Sequence, residues 1–248
     1  MLLKEIVDYL DKVLDVKNIQ DSCKNGLEVD GKKKIEKIGF SVDACLESFK
    51  KAASSQCDLL IVHHGIFWGE ITSITGLLYR RIRYLIRNNI ALYAAHLPLD
   101  IHPELGNNVQ LAKLLNLEVV GSFCRYRNID VGLICRNRTN FDELVKRIEK
   151  HFPVKFINFN NTSEKIGIIT GSGGMGIEYA AREGCDTFIT GEIRYTDYYT
   201  INEHMINIIY GGHYTTETWG LKALMKDIEK KFDIECEFLD LKEIQWKI

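Results

Sequence analysis

Cys57-Asp58-Leu59-Leu60-Ile61-Val62-His63-His64-Gly65 is an apolar run of strand length that ends in two histidines and a glycine. Short runs of this kind form buried parallel strands, and the ligands of open α/β sheets sit beyond the carboxyl ends of such strands. Two imidazoles placed there can bind metal, take up a proton, or fix the strand end through polar contacts. Upstream, residues 35–42 read as a strand and 43–54 as a helix. Downstream come a helix over Leu77–Asn88, a strand over Ile90–Ala95 that leads into His96, and a helix over Asn107–Leu115. Before the first of these, Asn25–Gly31 reads as a short strand between turns. Strands alternating with helices predict an α/β sheet that is at least partly parallel.

From about 118 to 162 the pattern changes. Val131–Cys135 and Val154–Phe159 read as strands, with a helix over Asp142–His151 that Asn140 is placed to cap, acids in its first turn and bases later. Beyond it the first pattern returns. Glu36-Lys37-Ile38-Gly39 recurs as Glu164-Lys165-Ile166-Gly167, Ala52-Ala53 as Ala180-Ala181, and Cys57-Asp58 as Cys185-Asp186, all at one spacing. Tyr93-Ala94-Ala95-His96-Leu97-Pro98-Leu99-Asp100 has a counterpart in Tyr210-Gly211-Gly212-His213-Tyr214-Thr215-Thr216-Glu217. An internal duplication predicts two similar α/β lobes, layered α/β/α with mixed sheets, residues 1–117 and 118–248, with 118–162 as a possible connector.

The chain has 248 residues, 46% hydrophobic and 27% charged, with a formal net charge of −2. That is the composition of a soluble globular protein with no overall bias toward nucleic acid or membrane. No stretch approaches the apolar length of a membrane span, and the N-terminus has no apolar core of a signal peptide. Seven cysteines without a C-x-x-C pair fit core packing in a reducing, cytoplasmic setting better than a disulfide frame.

The strand-end polar residues form one candidate set: His63 and His64, His96 and Asp100, His213 and Glu217. Residues four apart share a face if the stretch is helical, so each His-x-x-x-acid can present both donors together. Imidazole nitrogen with carboxylate oxygen suits zinc, iron, manganese, nickel or cobalt, and the set is large enough for two metals. A site drawing on corresponding strand ends of both lobes would lie in the cleft between them. Each piece alone is also a common surface pair, and His102, His151 and His204 have no such context. A competing signal is Gly171-Ser172-Gly173-Gly174-Met175-Gly176, a G-x-G-x-x-G between a strand and a helix, with Glu192 at the place of a ribose-binding acid. The short helix that follows, and the absence of glycines from the equivalent Val42-Asp43-Ala44-Cys45, weigh against nucleotide-cofactor binding.

Asn25-Gly26-Leu27, His63-His64-Gly65-Ile66-Phe67-Trp68, His96-Leu97-Pro98-Leu99-Asp100, Ser172-Gly173-Gly174, Thr190-Gly191-Glu192 and Gly212-His213-Tyr214-Thr215-Thr216-Glu217 together carry a resemblance. In this order they resemble the Nif-three-like family, also called type 2 GTP cyclohydrolase I homologs or dinuclear-metal-centre hexameric proteins. The resemblance covers nearly the whole chain. It implies a two-lobed α/β subunit, a ring-like homohexamer and two divalent transition metals per subunit. It implies His63, His64, Asp100, His213 and Glu217 as ligands, with Glu217 bridging the metals and His96 beside them as proton carrier. One departure is present: where many relatives have histidines after Thr-Gly-Glu, this chain has Arg194-Tyr195-Thr196. Nothing in the residues specifies guanine.

The leading expectation is therefore a metal-dependent hydrolase of a small anionic or nucleotide-like substrate, with His96 and Glu192 moving protons. A second is a metal-stabilised ring-shaped scaffold for a protein or nucleic acid, the latter through Arg80-Arg81-Ile82-Arg83 and Arg87. A third, weaker one is a nicotinamide-type oxidoreductase using the glycine-rich turn.

Overall fold

Five successive residues, Leu59 to His63, are completely or almost completely withdrawn from solvent, the signature of a strand covered on both faces. In the computed structural model, which describes residues 1–70 and 73–241, that strand is the centre of the first of two α/β units. Among the described residues, the first unit comprises 1–99 and 221–241, and the second is 100–220.

The chain begins with α1 (Leu3–Val13), β1 (Gly26–Val29), β2 (Lys37–Asp43), α2 (Leu46–Ser54), β3 (Leu59–His64), α3 (Gly76–Asn88), β4 (Ala91–Ala94) and a single turn, α4 (Leu97–Asp100). It continues with α5 (Asn107–Leu114), β5 (Glu118–Tyr126), β6 (Ile129–Arg136), α6 (Phe141–Glu149), β7 (Lys155–Ile157), β8 (Lys165–Ile169), α7 (Ile177–Arg182) and β9 (Thr187–Thr190). Last come α8 (Asp197–His204), β10 (Asn207–Tyr210), α9 (His213–Thr216), α10 (Thr218–Phe232) and β11 (Glu235–Phe238).

The first sheet has the order β1-β4-β3-β2-β11 and is parallel except for β1, which runs antiparallel to β4. The second has the order β5-β6-β8-β9-β10-β7, parallel through β8, β9 and β10 and antiparallel at its other pairings. Both sheets are mixed, and the two lobes are alike. Phe49, Leu60, Val62, Leu85 and Leu92 build one core; Leu111, Phe141, Leu144, Ile148, Ile168 and Ile189 build the other. Asn140 caps α6 as expected, its side-chain oxygen accepting from the Glu143 amide at 3.0 Å.

The duplication is visible in hydrogen bonds. Asp58 accepts the Glu36 amide at 2.8 Å, and its counterpart Asp186 accepts the Glu164 and Lys165 amides at 2.9 and 3.0 Å. The Asp58 amide donates to Lys37 and that of Asp186 to Lys165; the Cys57 amide donates to Ala52 and that of Cys185 to Ala180. The repeated Cys-Asp thus ties each helix end to the start of its strand.

The expected boundaries, 1–117 and 118–248, shift in the structure. Helix α5 lies with β5, β6 and β8 in the second unit, whereas β11 pairs with β2 and returns the chain to the first. Residues 118–157 are no connector: β5, β6 and β7 are strands of the second sheet.

Candidate metal centre

In the first unit, β3 delivers His63 and His64 at its carboxyl end, and the register places Asp43, the last residue of β2, beside His64. His63 is fully buried, and its Nδ1–H donates to the Ala95 carbonyl at 2.8 Å. That bond fixes the tautomer and leaves the lone pair on Nε2, the arrangement metal-binding histidines use. His64 is held in the same manner, Nδ1 lying 2.8 Å from Asp43 Oδ1.

His96 follows β4. Its Nδ1 sits 2.9 Å from Asp21 Oδ2, and its amide donates to Asn25 Oδ1 at 2.6 Å. Asp21 also accepts from Asn25 Nδ2, from the Leu97 amide and from the Cys23 amide. Burial alone would raise the Asp21 carboxyl, but the hydrogen bonds and charge of His96, with those of Asn25 and Cys23, outweigh it and hold it well below the usual carboxylate range. The result is three oriented imidazoles: His63, His64 and His96 each offer one ring nitrogen within 4.8 Å of the others. The Trp68 indole meets the His96 ring edge-on at 4.9 Å between centroids and donates its N–H to the Gly65 carbonyl at 2.9 Å. Glu28 supports this turn by accepting the Ile66 and Phe67 amides at 2.8 and 3.1 Å. Desolvation pushes the Glu28 carboxyl up to about 7 despite those two bonds.

In the second unit, β8, β9 and β10 end side by side at Gly171, Gly191-Glu192 and Gly212-His213. His213 opens α9 and is flanked by two carboxylates: Nδ1 lies 3.0 Å from Glu192 Oε1 and Nε2 lies 3.1 Å from Glu217 Oε1. Glu217 is 3% exposed. A carboxylate oxygen of Asp100 lies within 4.8 Å of one of Glu217, and Asn107 steadies Asp100 through a 2.8 Å bond. The same Asn107 accepts the Gly220 amide at 2.8 Å, which ties α5 to the helix that follows Glu217.

Gly171, at φ +65°, borders this set. A Cβ there would overlap the Glu217 carboxylate and lie 3.1 Å from His213 Nε2. Its amide donates to Thr216 Oγ1 at 3.0 Å, and its carbonyl accepts the Gly191 and Glu192 amides at 2.9 and 3.0 Å. The other glycines of the G-x-G-x-x-G turn likewise admit side chains of their own unit. A Cβ at Gly174 would overlap Asp197, and one at Gly173 or Gly176 would crowd Ile169. These contacts account for the glycines without a pyrophosphate.

The sequence pattern of the family described as Duf34/NIF3 (NGG1p interacting factor 3) matches residues 1–244. The chain belongs to that family. Among Duf34/NIF3-like relatives, a "GTP cyclohydrolase 1 type 2 homolog" of Pyrococcus abyssi is 41% identical, with 96% of this chain and 97% of that protein covered. A protein of the same description from Archaeoglobus fulgidus is 37% identical over 97% of this chain and 98% of its own. The solved structure of protein ybgI, titled as of unknown function, superposes with a TM-score of 0.90 at 33% identity, covering 98% and 99% of the two chains. Reduced HcgD from Methanocaldococcus jannaschii gives 0.86 at 28% identity, covering 97% and 98%.

Of the residues expected from sequence, this Duf34/NIF3 chain gathers His63, His64 and His96 in one unit and Asp100, Glu192, His213 and Glu217 in the other. The first set holds imidazole nitrogens and the second an imidazole with carboxylates, donors of the kinds that divalent transition metals take. Arg194, which stands where the resemblance leads one to expect histidine, is turned into a local pair: its amide and guanidinium donate to Asp197 at 2.7 and 2.9 Å. His102 accepts the Glu104 and Leu105 amides at 3.1 and 3.0 Å, a turn-capping role, while His151 and His204 are exposed. The supporting residues Asp21, Asp43, Glu28 and Asn107 were not singled out from sequence. Only Asp43 had a usable signal, an acid at the end of a predicted strand adjacent to the one that carries the histidines.

Proposed function

We propose that the protein holds two divalent transition metal ions through His63, His64, Asp100, His213 and Glu217, and that it hydrolyses a small anionic or nucleotide-like substrate. One observation carries this reading. With Nδ1–H given to Glu192, His213 turns the lone pair of Nε2 toward a carboxylate oxygen of Glu217 at 3.1 Å. Two acceptors that close are held together by a cation, either a proton on Nε2 or a metal that both ligate. The neighbouring Asp100 carboxylate adds negative charge and so favours the metal. On the first unit, His63 and His64 have Nδ1 held by the Ala95 carbonyl and the Asp43 carboxylate, which puts the lone pair on Nε2, the tautomer that coordination requires.

When bound, a pair of such ions lowers the pKa of a coordinated water and stabilises developing oxyanion charge. The chain's own residues do the rest. Asp21 keeps the His96 Nδ1–H engaged, so Nε2 is the atom that accepts or returns a proton. Glu192 fixes the His213 ring and, being exposed, is in reach of water. The guanidinium of Arg194 is committed to Asp197, so proton transfer rests on His96 and Glu192.

The ring-like homohexamer and a cytoplasmic location belong to the same reading. Seven free thiols, five of them buried, suit a reducing compartment; no helix among the described residues is long and apolar enough to cross a membrane.

Elemental analysis by plasma mass spectrometry of untagged protein tests the proposal, with light scattering of the same sample reporting whether six chains associate. About two transition metals per chain are expected, and Glu217→Ala should lose most of them. A metal-free wild-type protein, or unchanged metal content in the variant, removes the reading.

A further inference from the structure

Helix α3 carries Arg80, Arg81, Arg83 and Arg87 and no acidic residue. Helices gain stability from acids in the first turn and from opposite charges three or four positions apart. The first turn of α3 has no acid, and Arg80 with Arg83, and Arg83 with Arg87, are like charges at just those spacings. Several exposed charges elsewhere have opposite partners, as in Lys4–Asp8, Lys34–Glu36 and Glu178–Arg182. Among the described residues, no ion pair involves an arginine of α3. The chain as a whole has a net charge of −2, so this stripe is a local feature.

The helix is also unusually bare. Only Leu85 is buried, while Tyr79 and Ile86 are 49% and 60% exposed. At 100° per residue, Tyr79, Arg83, Arg87 and Arg80 lie next to one another on the side away from Leu85, with Ile86 at the margin. The Arg83 guanidinium sits over the Tyr79 ring at 5.9 Å.

We propose that the outer face of α3 binds single-stranded nucleic acid. At a rise of about 1.5 Å per residue, Arg80, Arg83 and Arg87 step along the axis by roughly 4.5 and 6 Å, a spacing able to follow successive phosphates. Tyr79 beside them supplies the planar surface on which an unpaired base stacks, the combination single-strand binders use. A membrane surface fits less well, because an interfacial helix needs a continuous apolar face, and here the exposed apolar residues Leu77 and Ile86 stand on opposite sides of α3.

The test is fluorescence anisotropy of the full-length protein with a labelled oligouridine of about 20 nucleotides. Three phosphate contacts predict an affinity roughly 20-fold weaker at 200 mM salt than at 50 mM. The triple variant R80Q/R83Q/R87Q should flatten that log–log slope by about 2, and Tyr79→Ser should weaken binding by about 5-fold or more. These positions are exposed, so melting temperatures should hold, and metal content should match wild type whatever its value. Absence of binding at the lowest salt, a triple variant that binds like wild type, or a changed elution volume for that variant would each overturn the proposal. So would α3-dependent binding to anionic phospholipid vesicles in preference to the oligonucleotide.

Discussion

Gly171→Ala should detach the Glu217 carboxylate while leaving the second lobe folded. Two effects act at once. Position 171 has φ +65°, where an alanine costs about 1–2 kcal/mol relative to glycine. The added methyl would also overlap Glu217 Oε1 and lie 2.9 Å from Cδ. The backbone cannot retreat, since the amide of 171 is held by Thr216 Oγ1 and its carbonyl by the amides of Gly191 and Glu192. The carboxylate must therefore swing by more than about 1 Å to reach van der Waals distance, which breaks its 3.1 Å approach to His213. Gly184→Ala is the control: φ there is +73° with nothing within 4 Å, so it carries the backbone cost alone. Both variants should melt roughly 2–8 °C lower, with Gly171→Ala the lower of the two. Competition with a chromophoric chelator should show metal affinity about 10-fold or more weaker for Gly171→Ala and near wild type for Gly184→Ala. Equal metal affinity and equal melting in the two variants would refute the steric reasoning.

Glu28 titrates at about 7 in the folded protein, against 4.5 for an ordinary glutamate, so the folded state binds the extra proton between those values. Its contribution is complete below the unfolded value and is lost as pH rises through the folded one, up to about 3 kcal/mol in all. Denaturant midpoints should fall accordingly from pH 4.5 to 7 in wild type, and Glu28→Gln should remove that component; parallel pH profiles would count against it. Asp21→Ala strips acceptors from the Cys23 and Leu97 amides, Asn25 and His96 together. A loss of about 3–5 kcal/mol is expected from urea unfolding, and a loss below about 1 kcal/mol would show that water replaces the carboxylate without penalty.

Helices α2, α3, α5 and α6 and the parallel strands β2, β3 and β4 were legible because their apolar periodicity is local, whereas α8 and α10 were not singled out. Leu59–His64 and Ala91–Ala94 are buried throughout and read as strands from composition alone. Strand β5 was not legible. Its first five residues are exposed, its register shifts between Val119 and Gly121, and Cys124 adopts φ +63°, so no period survives. Strand β11 was missed for another reason: Glu235-Cys236-Glu237-Phe238 becomes a strand by pairing with Lys37–Phe40, far away in sequence. That same return of the chain moved the boundary between lobes. The donors themselves could be listed in advance because each follows a strand, where α/β folds present their chemistry. Their supports could not, since the Asp21–His96 contact spans 75 residues and leaves no mark near either partner.

The duplication explains why the two lobes contribute different donors. At the strand starts the copies are the same: Asp58 and Asp186 receive equivalent amides. At the strand ends they part. By the spacing that aligns the repeats, Asp43 corresponds to Gly171, and His63-His64 to Gly191-Glu192. In the first copy, Asp43 keeps a side chain and uses it to orient His64. In the second, the absence of a side chain at 171 is what admits Glu217. A histidine at 191 is then sterically forbidden, because even a Cβ would lie 2.6 Å from the Gly171 carbonyl oxygen and 2.7 Å from Thr216 Oγ1. The imidazole-rich set in one lobe and the carboxylate-rich set in the other therefore follow from the close packing around two glycines of the second copy, Gly171 and Gly191.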